Sequence, residues 1–232
     1  MFARGPLNNY YLELFGATSR VNVPSVAGEQ QGRNVEMFLD FMLIAWPSLA
    51  AATDVIFAGS YPGFGWFEAA MPANASPLNY ANARFGVSRN SSISYSEASR
   101  IYLGKRHVMV GADDGVAGEG AYAMLDGTAL ANDATPWTAA NLEDPFDVKG
   151  SFDYNYDDFN TVYCKMRVYE AWVKVNGVLI MHHRPKPFMR GTTELTDLSQ
   201  FGNDGAITVT ETTDWRIIEN YNEAPPLTLV GG

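Results

Sequence analysis

The chain has 232 residues, 47% of them apolar and 13% aromatic, with 26 acidic against 16 basic residues and a formal charge of −10. This is enough apolar side chain for one large core, and one domain is the expectation because β-domains reach this size undivided. The acidic balance, with no basic stripe, disfavours a nucleic-acid or anionic-membrane surface, and the single cysteine, Cys164, excludes an intramolecular disulfide.

The N-terminal MFARGPLNNYYLEL lacks a basic region followed by an apolar core and a small-residue cleavage site, so a soluble protein made in the cytoplasm without a signal peptide is expected. Residues 1–9 read as an arm. Candidate strands follow at YYLELF (10–15), RVNVP (20–24) and VEMFLDFMLIAW (35–46). In the last, Val35, Met37, Leu39, Phe41 and Leu43 form one apolar row opposed by Glu36, Phe38, Asp40 and Met42, the pattern of an inner sandwich strand. The patch MLIAW (42–46) is closed by Pro47 and is too short to span a bilayer.

Further strands are expected at DVIFAG (54–59), GWFEAAM (65–71), ARFGVS (83–88), SISYS (92–96), HVMVGAD (107–113), AYAML (121–125), VYCKMRVYEAWVKV (162–175), VLIMHH (178–183) and AITVTE (206–211). Helical signals are confined to SLAAATDVI (48–56), beside Pro47, and SPLNYANA (76–83); each reads as a turn or loop. The segment 131–160, rich in Asp, Asn, Pro and aromatics, reads as an irregular but ordered surface excursion. The expected organisation is one sandwich domain over 10–221 and a Pro/Gly-bearing tail over 222–232.

Asp126-Gly127 and Asn176-Gly177 mark tight hairpins, because both pairs tolerate the positive φ of type I′ turns. A two-residue loop would pair Val175 with Val178, Val173 with Ile180 and Ala171 with His182. His183 would then share the opposite face with Met181 and Leu179.

His182 and His183 invite a reading as metal ligands or a general base. Neighbours in a strand point to opposite faces, and His107 and Cys164 stand at no metal-ligand spacing, so structural or surface histidines are favoured. No GxSxG elbow is present. The acidic candidates are Asp113, Asp114, Asp144, Asp147, Asp153, Asp157, Asp158 and Asp197, and calcium prefers several such oxygens. DYNYDD (153–158) suits calcium by composition but lacks the EF-hand arrangement, so a solvated loop is favoured and no cofactor or metal site is assigned. Asp126 and Asp197 stand beside turn residues and are expected to bond backbone. In YPGFGWF (61–67), exposed Tyr61, Phe64 and Trp66 would form a ligand-stacking platform; the alternative places Trp66 and its neighbours in the core.

The order YLELFGATSRVNVPS (11–25), NVEMFLDFMLIAWP (34–47), VIFAGSYPGFGWFEAAM (55–71), ARFGVS (83–88), YLGKRHVMVGADDG (102–115) and AYAMLDGTAL (121–130) resembles the concanavalin A-like, laminin G-like jelly-roll domains. Lys105-Arg106-His107 takes the place of their Lys-Trp-His step, and Leu125-Asp126-Gly127 that of their hairpin. MRVYEAWVKVNGVLIMHHRP (166–185) and LTDLSQFGNDGAITVTETTDW (195–215) are similar to the variant found in bacteriophage structural proteins. The resemblance implies an all-β antiparallel sandwich, and functions ranging over lectins, β-glucan hydrolases and virion modules.

The hydrolase branch needs close paired carboxylates, usually as E-x-D-x-x-E, which is absent; Glu36 and Asp40 share a strand face without the intervening acid. The expected function is therefore a non-enzymatic virion structural protein, a capsid decoration, tail or fibre component. It would bind neighbouring virion proteins or further copies of itself. The alternative is a glycan-binding lectin module for host-surface attachment.

Overall fold

In the computed structural model, which describes residues 10–14, 20–23, 34–46, 55–60, 65–70, 79–89, 92–113, 121–132, 152–154, 164–189, 193–208 and 215–219, the segments of period two become strands. They are Tyr10–Leu14 (β1), Arg20–Val23 (β2), Val35–Ala45 (β3), Val55–Ser60 (β4), Gly65–Ala70 (β5), Tyr80–Arg89 (β6), Ser92–Tyr102 (β7), Arg106–Asp113 (β8), Tyr122–Leu125 (β9), Thr128–Ala129 (β10), Ala131–Asn132 (β11), Phe152–Tyr154 (β12), Lys165–Val175 (β13), Val178–His183 (β14), Glu194–Leu195 (β15), Gly205–Thr208 (β16) and Trp215–Glu219 (β17). Among the described residues helix is limited to a 3-10 turn at Pro187–Met189. The arm 1–9, the tail 222–232 and residues 133–151 and 155–160 of the excursion lie outside the described residues.

The strands form two antiparallel sheets. An eight-stranded sheet has the order β10-β9-β8-β3-β13-β1-β17, with β14 also on β13; a nine-stranded sheet has the order β11-β7-β6-β5-β4-β12-β2-β16-β15. Long β13 serves two partners along one edge, β1 at Met166–Val168 and β14 at Ala171–Val175. Phe152–Tyr154 was expected in an irregular excursion. It instead lies inside the nine-stranded sheet, between β2 and β4.

The apolar row of β3 faces inward, with Val35, Met37, Leu39, Phe41 and Leu43 all fully buried. Phe41 meets Phe57 of the opposite sheet at 4.8 Å between ring centroids, and Phe57, Phe67 and Phe85 continue the chain of rings at 6.3 and 5.4 Å. Burying a side chain of this size contributes roughly 1.5–3 kcal/mol. The ring of Phe85 sits over Gly111 of β8, where a Cβ would come within 2.3 Å of it, so this contact between the sheets requires glycine there.

Both Asx-Gly turns have positive φ at both central residues: 52° and 82° at Asp126-Gly127, 50° and 78° at Asn176-Gly177. The second hairpin departs from the expected register. Val175 pairs with Val178 and Lys174 with Leu179, but the ladder then shifts, so Val173 pairs with Met181, Trp172 with His182 and Ala171 with His183. The bulge adds one residue to β14, which buries both Ile180 and Met181. His183, rather than His182, therefore lies opposite Ala171 on the inner side, and Leu179 moves to the outer face.

Candidate functional site

The three histidines each settle against a hydrogen-bonding partner, and among the described residues none is hydrogen-bonded to a nucleophile. At His107 the Tyr102 N–H donates to Nε2 at 3.0 Å, so the ring proton is on Nδ1 and is donated to Asp126 at 2.8 Å. Asp126 also accepts the Val108 N–H at 2.9 Å. Burial works to raise its pKa, but His107, the Val108 amide and Lys105 hold the carboxyl below the usual value. The Lys-Arg-His and Leu-Asp-Gly stretches thus meet in space as one hairpin clamp.

His183 is fully buried, with Nε2 donating to the Asn203 carbonyl at 2.8 Å. Burial lowers its pKa, and the Asn203 carbonyl and Asp197 only partly oppose this. Asp197 organises the adjoining loop: it accepts the amides of His182 at 2.7 Å, Ser199 at 2.9 Å and Asn203 at 2.8 Å, and the Ser199 hydroxyl at 2.5 Å. These bonds overcome the raising effect of burial and leave its carboxyl below the ordinary value. Among the described residues the Ser199 hydroxyl therefore has Asp197 and the Ile180 carbonyl as acceptors and no histidine base. Burial pushes the Cys164 thiol up to about 12, which makes it inert. Among the described residues no three His, Cys, Asp or Glu side chains gather as a metal site; Asp114, Asp144, Asp147, Asp157 and Asp158 lie outside them.

The surface chemistry lies on the two outer sheet faces. On the eight-stranded sheet, register places Met124, Val110, Phe38, Trp172 and His182 in one row across β9, β8, β3, β13 and β14. All five are half-buried. Phe38 and Trp172 stack with their rings 4° from parallel and centroids 5.3 Å apart, and Lys174 stands 4.3 Å from the Trp172 ring centre. A neighbouring row carries Tyr122, Ala112, Glu36, Lys174 and Leu179.

Charges on this face are matched locally. Lys174 lies 3.8 Å from Glu36, His182 Nε2 lies 2.9 Å from Glu170, and Arg184 lies 3.9 Å from the same carboxylate. Deeper in the face, Arg106 donates twice to Asp40, at 2.8 and 2.7 Å, and stacks over Tyr169 at 3.7 Å. Arg167 donates to Glu13 at 2.6 Å and lies over Tyr11. Glu170 and Asp40 stand directly opposite each other across the ladder. Burial acts to raise the Glu170 pKa, but the His182 hydrogen bond and the Arg184 charge bring it below the usual value. A glycosidase acid needs the reverse, a raised pKa. Glu36 and Asp40, four residues apart on one strand, are separated by about 13 Å, beyond the span that glycosidase pairs use.

The nine-stranded sheet differs. Of the expected aromatic platform, Tyr61 and Phe64 lie outside the described residues, and Trp66 is wholly buried. Its indole N–H donates to Glu68 at 3.0 Å, and its ring covers Gly86, where a Cβ would come within 2.3 Å. Arg84 closes the set with a 2.8 Å bond to Glu68. Further along the same face, Tyr80 pairs with Tyr102 and Asn82 with Arg100. Arg100 lies over the Tyr80 ring at 4.2 Å, Tyr80 and Tyr102 are 6.0 Å apart, and Lys105 is 5.9 Å from Tyr102. Tyr80 and Asn82 belong to SPLNYANA (76–83), expected as a turn or loop; residues 80–83 are instead strand, where Tyr80, Asn82 and Arg84 alternate with the inward Ala81, Ala83 and Phe85.

No protein-family profile matches the sequence, and no curated protein matches it. Among solved structures the chain is similar to the native heptameric SAP-like pentraxin from Limulus polyphemus, with a TM-score of 0.50 at 9% identity over 73% of this chain and 77% of that one. It also aligns with the botulinum neurotoxin type G receptor binding domain, with a TM-score of 0.39 at 9% identity over 74% of this chain and 39% of that one. The chain thus covers about two fifths of the toxin domain. The pentraxin likeness and the sheet topology together define an all-β antiparallel sandwich of the concanavalin A-like jelly-roll kind.

Proposed function

We propose that this protein is a non-enzymatic structural protein of a bacteriophage virion, a capsid decoration, tail or fibre component, in which the jelly roll is a rigid block. Neighbouring virion proteins, or further copies of the chain, dock on the outer face of the eight-stranded sheet. The observation that carries this is the half-buried row Met124–Val110–Phe38–Trp172, broad, aromatic and flanked by charges already matched within the face. In a chain of net charge −10, such a neutral apolar strip is where a protein partner meets least repulsion. The virion assignment rests on the resemblance of residues 166–185 and 195–215 to phage structural domains. The carboxylates of the face, each held by its own cation, support the absence of catalysis.

The test is a charge placed at the centre of the row. Trp172→Glu is expected to fold, because the site is half-exposed, and to be excluded from the assembled particle. Incorporation at the wild-type level would remove the proposed surface.

A second reading, a glycan-binding module for host-surface attachment, is favoured by the Tyr80, Tyr102, Asn82 and Arg100 group on the other sheet. The two readings are compatible, since they use opposite faces of the sandwich.

A further inference from the structure

We infer that the outer face of β6 and β7 binds an acidic saccharide, a sugar residue bearing a carboxylate, with Arg100 as the carboxylate-binding residue. This rests on the glycan-binding reading and names its ligand class.

The register fixes the geometry. Ala81, Ala83 and Ile101 point into the core and are fully buried, so Tyr80, Asn82, Arg100 and Tyr102, one residue out of phase, share the outer face as two directly paired couples. Arg100 is exposed, and its guanidinium lies 4.2 Å above the Tyr80 ring. A guanidinium that lies over a ring by its face keeps N–H groups at its edge for a bidentate carboxylate. The other arginines of the two outer faces described above, Arg84, Arg106, Arg167 and Arg184, each face a carboxylate, whereas among the described residues Arg100 faces none. A positive group held on an aromatic ring and left uncompensated, in a chain of net charge −10, is suited to an anion supplied from outside.

The rest of the group fits a sugar. The half-buried Asn82 carboxamide forms no hydrogen bond among the described residues and offers both donor and acceptor to adjacent hydroxyls. Tyr102 is 40% exposed and presents a ring to the C–H face of a pyranose; Lys105, 5.9 Å from that ring, is already held 3.5 Å from Asp126, which leaves Arg100 as the cation of the group. One unmatched cation is too few for a polyphosphate backbone, so nucleic acid is not the ligand.

The experiment is a titration of the full chain with hexuronate- and sialate-containing oligosaccharides, each beside its carboxyl-reduced counterpart, read by calorimetry for wild type, Arg100→Ala and Arg100→Lys. At least one acidic oligosaccharide is expected to bind. Its affinity should fall tenfold or more on carboxyl reduction and in Arg100→Ala, and by less in Arg100→Lys, with the melting temperature of each variant unchanged. If glycans bind equally well after carboxyl reduction or in Arg100→Ala, the Arg100 site is overturned while the glycan-binding reading stands. If no acidic or neutral oligosaccharide binds, both fall.

Discussion

The two outer faces of the sandwich carry similar residue types in different states of completion. On the eight-stranded sheet Arg106, Arg167, Lys174 and Arg184 each meet a carboxylate of the same face, and the aromatic pair Phe38–Trp172 lies between them half-covered. On the nine-stranded sheet Arg84 is bonded to the buried Glu68, which also accepts from the buried Trp66, while the adjoining Arg100 is left without a counter-ion among the described residues. A face that has settled its own charges offers apolar area, which suits a protein. A face with an unmatched cation offers a charge, which suits a small anion. The distinction turns on pairing and burial, not on which residue types are present.

Breaking the deepest pair of the first face has the largest expected effect. Arg106→Ala leaves the buried Asp40 without its two hydrogen bonds and should cost about 3–5 kcal/mol, measurable by denaturant unfolding; Asp40→Leu combined with Arg106→Met should recover most of the loss. On the second face, Gly86→Ala forces a Cβ into the Trp66 ring and should cost roughly 1–3 kcal/mol, whereas Gly177→Ala meets no atom and strains only the turn.

The adjacent histidines of β14, one facing the core and one the outer face, respond differently to pH. Burial lowers the pKa of His183, so below about 6.5 the unfolded chain binds more protons than the folded one, and stability must fall as pH drops towards the folded pKa. His182→Ala should keep this loss in a melting-temperature profile, and His183→Gln should remove it. Asp197, whose pKa is lowered too, contributes a separate loss further down, as pH falls below the ordinary Asp range. The smallest effect is expected for His182→Ala at neutral pH, under about 1 kcal/mol for a half-exposed pair, compared with wild type by chemical unfolding.

Alternation and turn chemistry were the legible parts. β3 could be assigned face by face because Val35, Met37, Leu39, Phe41 and Leu43 recur at every second position while Glu36 and Asp40 mark the other face, and both Asx-Gly turns were marked by residues that accept positive φ. The bulge in β14 was not legible, since an extra residue inside VLIMHH leaves no mark when Ile180 and Met181 are both apolar enough to bury. That slip hid the importance of His183, which shares no sequence feature with Asn203 or Asp197. The joining of His107 to Asp126 depends on a contact between separate hairpins. Tyr80, Asn82 and Arg100 were missed for a different reason: their strands extend past the apolar segments that reveal a strand, into positions where only the inward-facing Ala81, Ala83 and Ile101 keep the period.

A protein neighbour covering the outer face of the eight-stranded sheet would be seen by hydroxyl-radical footprinting of the isolated chain and of the assembly purified from its source. Phe38, Trp172 and Met124 are expected to be oxidised in the free protein and protected several-fold in the assembly, while Tyr80 and Tyr102 stay equally reactive in both. Equal oxidation of Trp172 and Phe38 in the two samples would contradict the account.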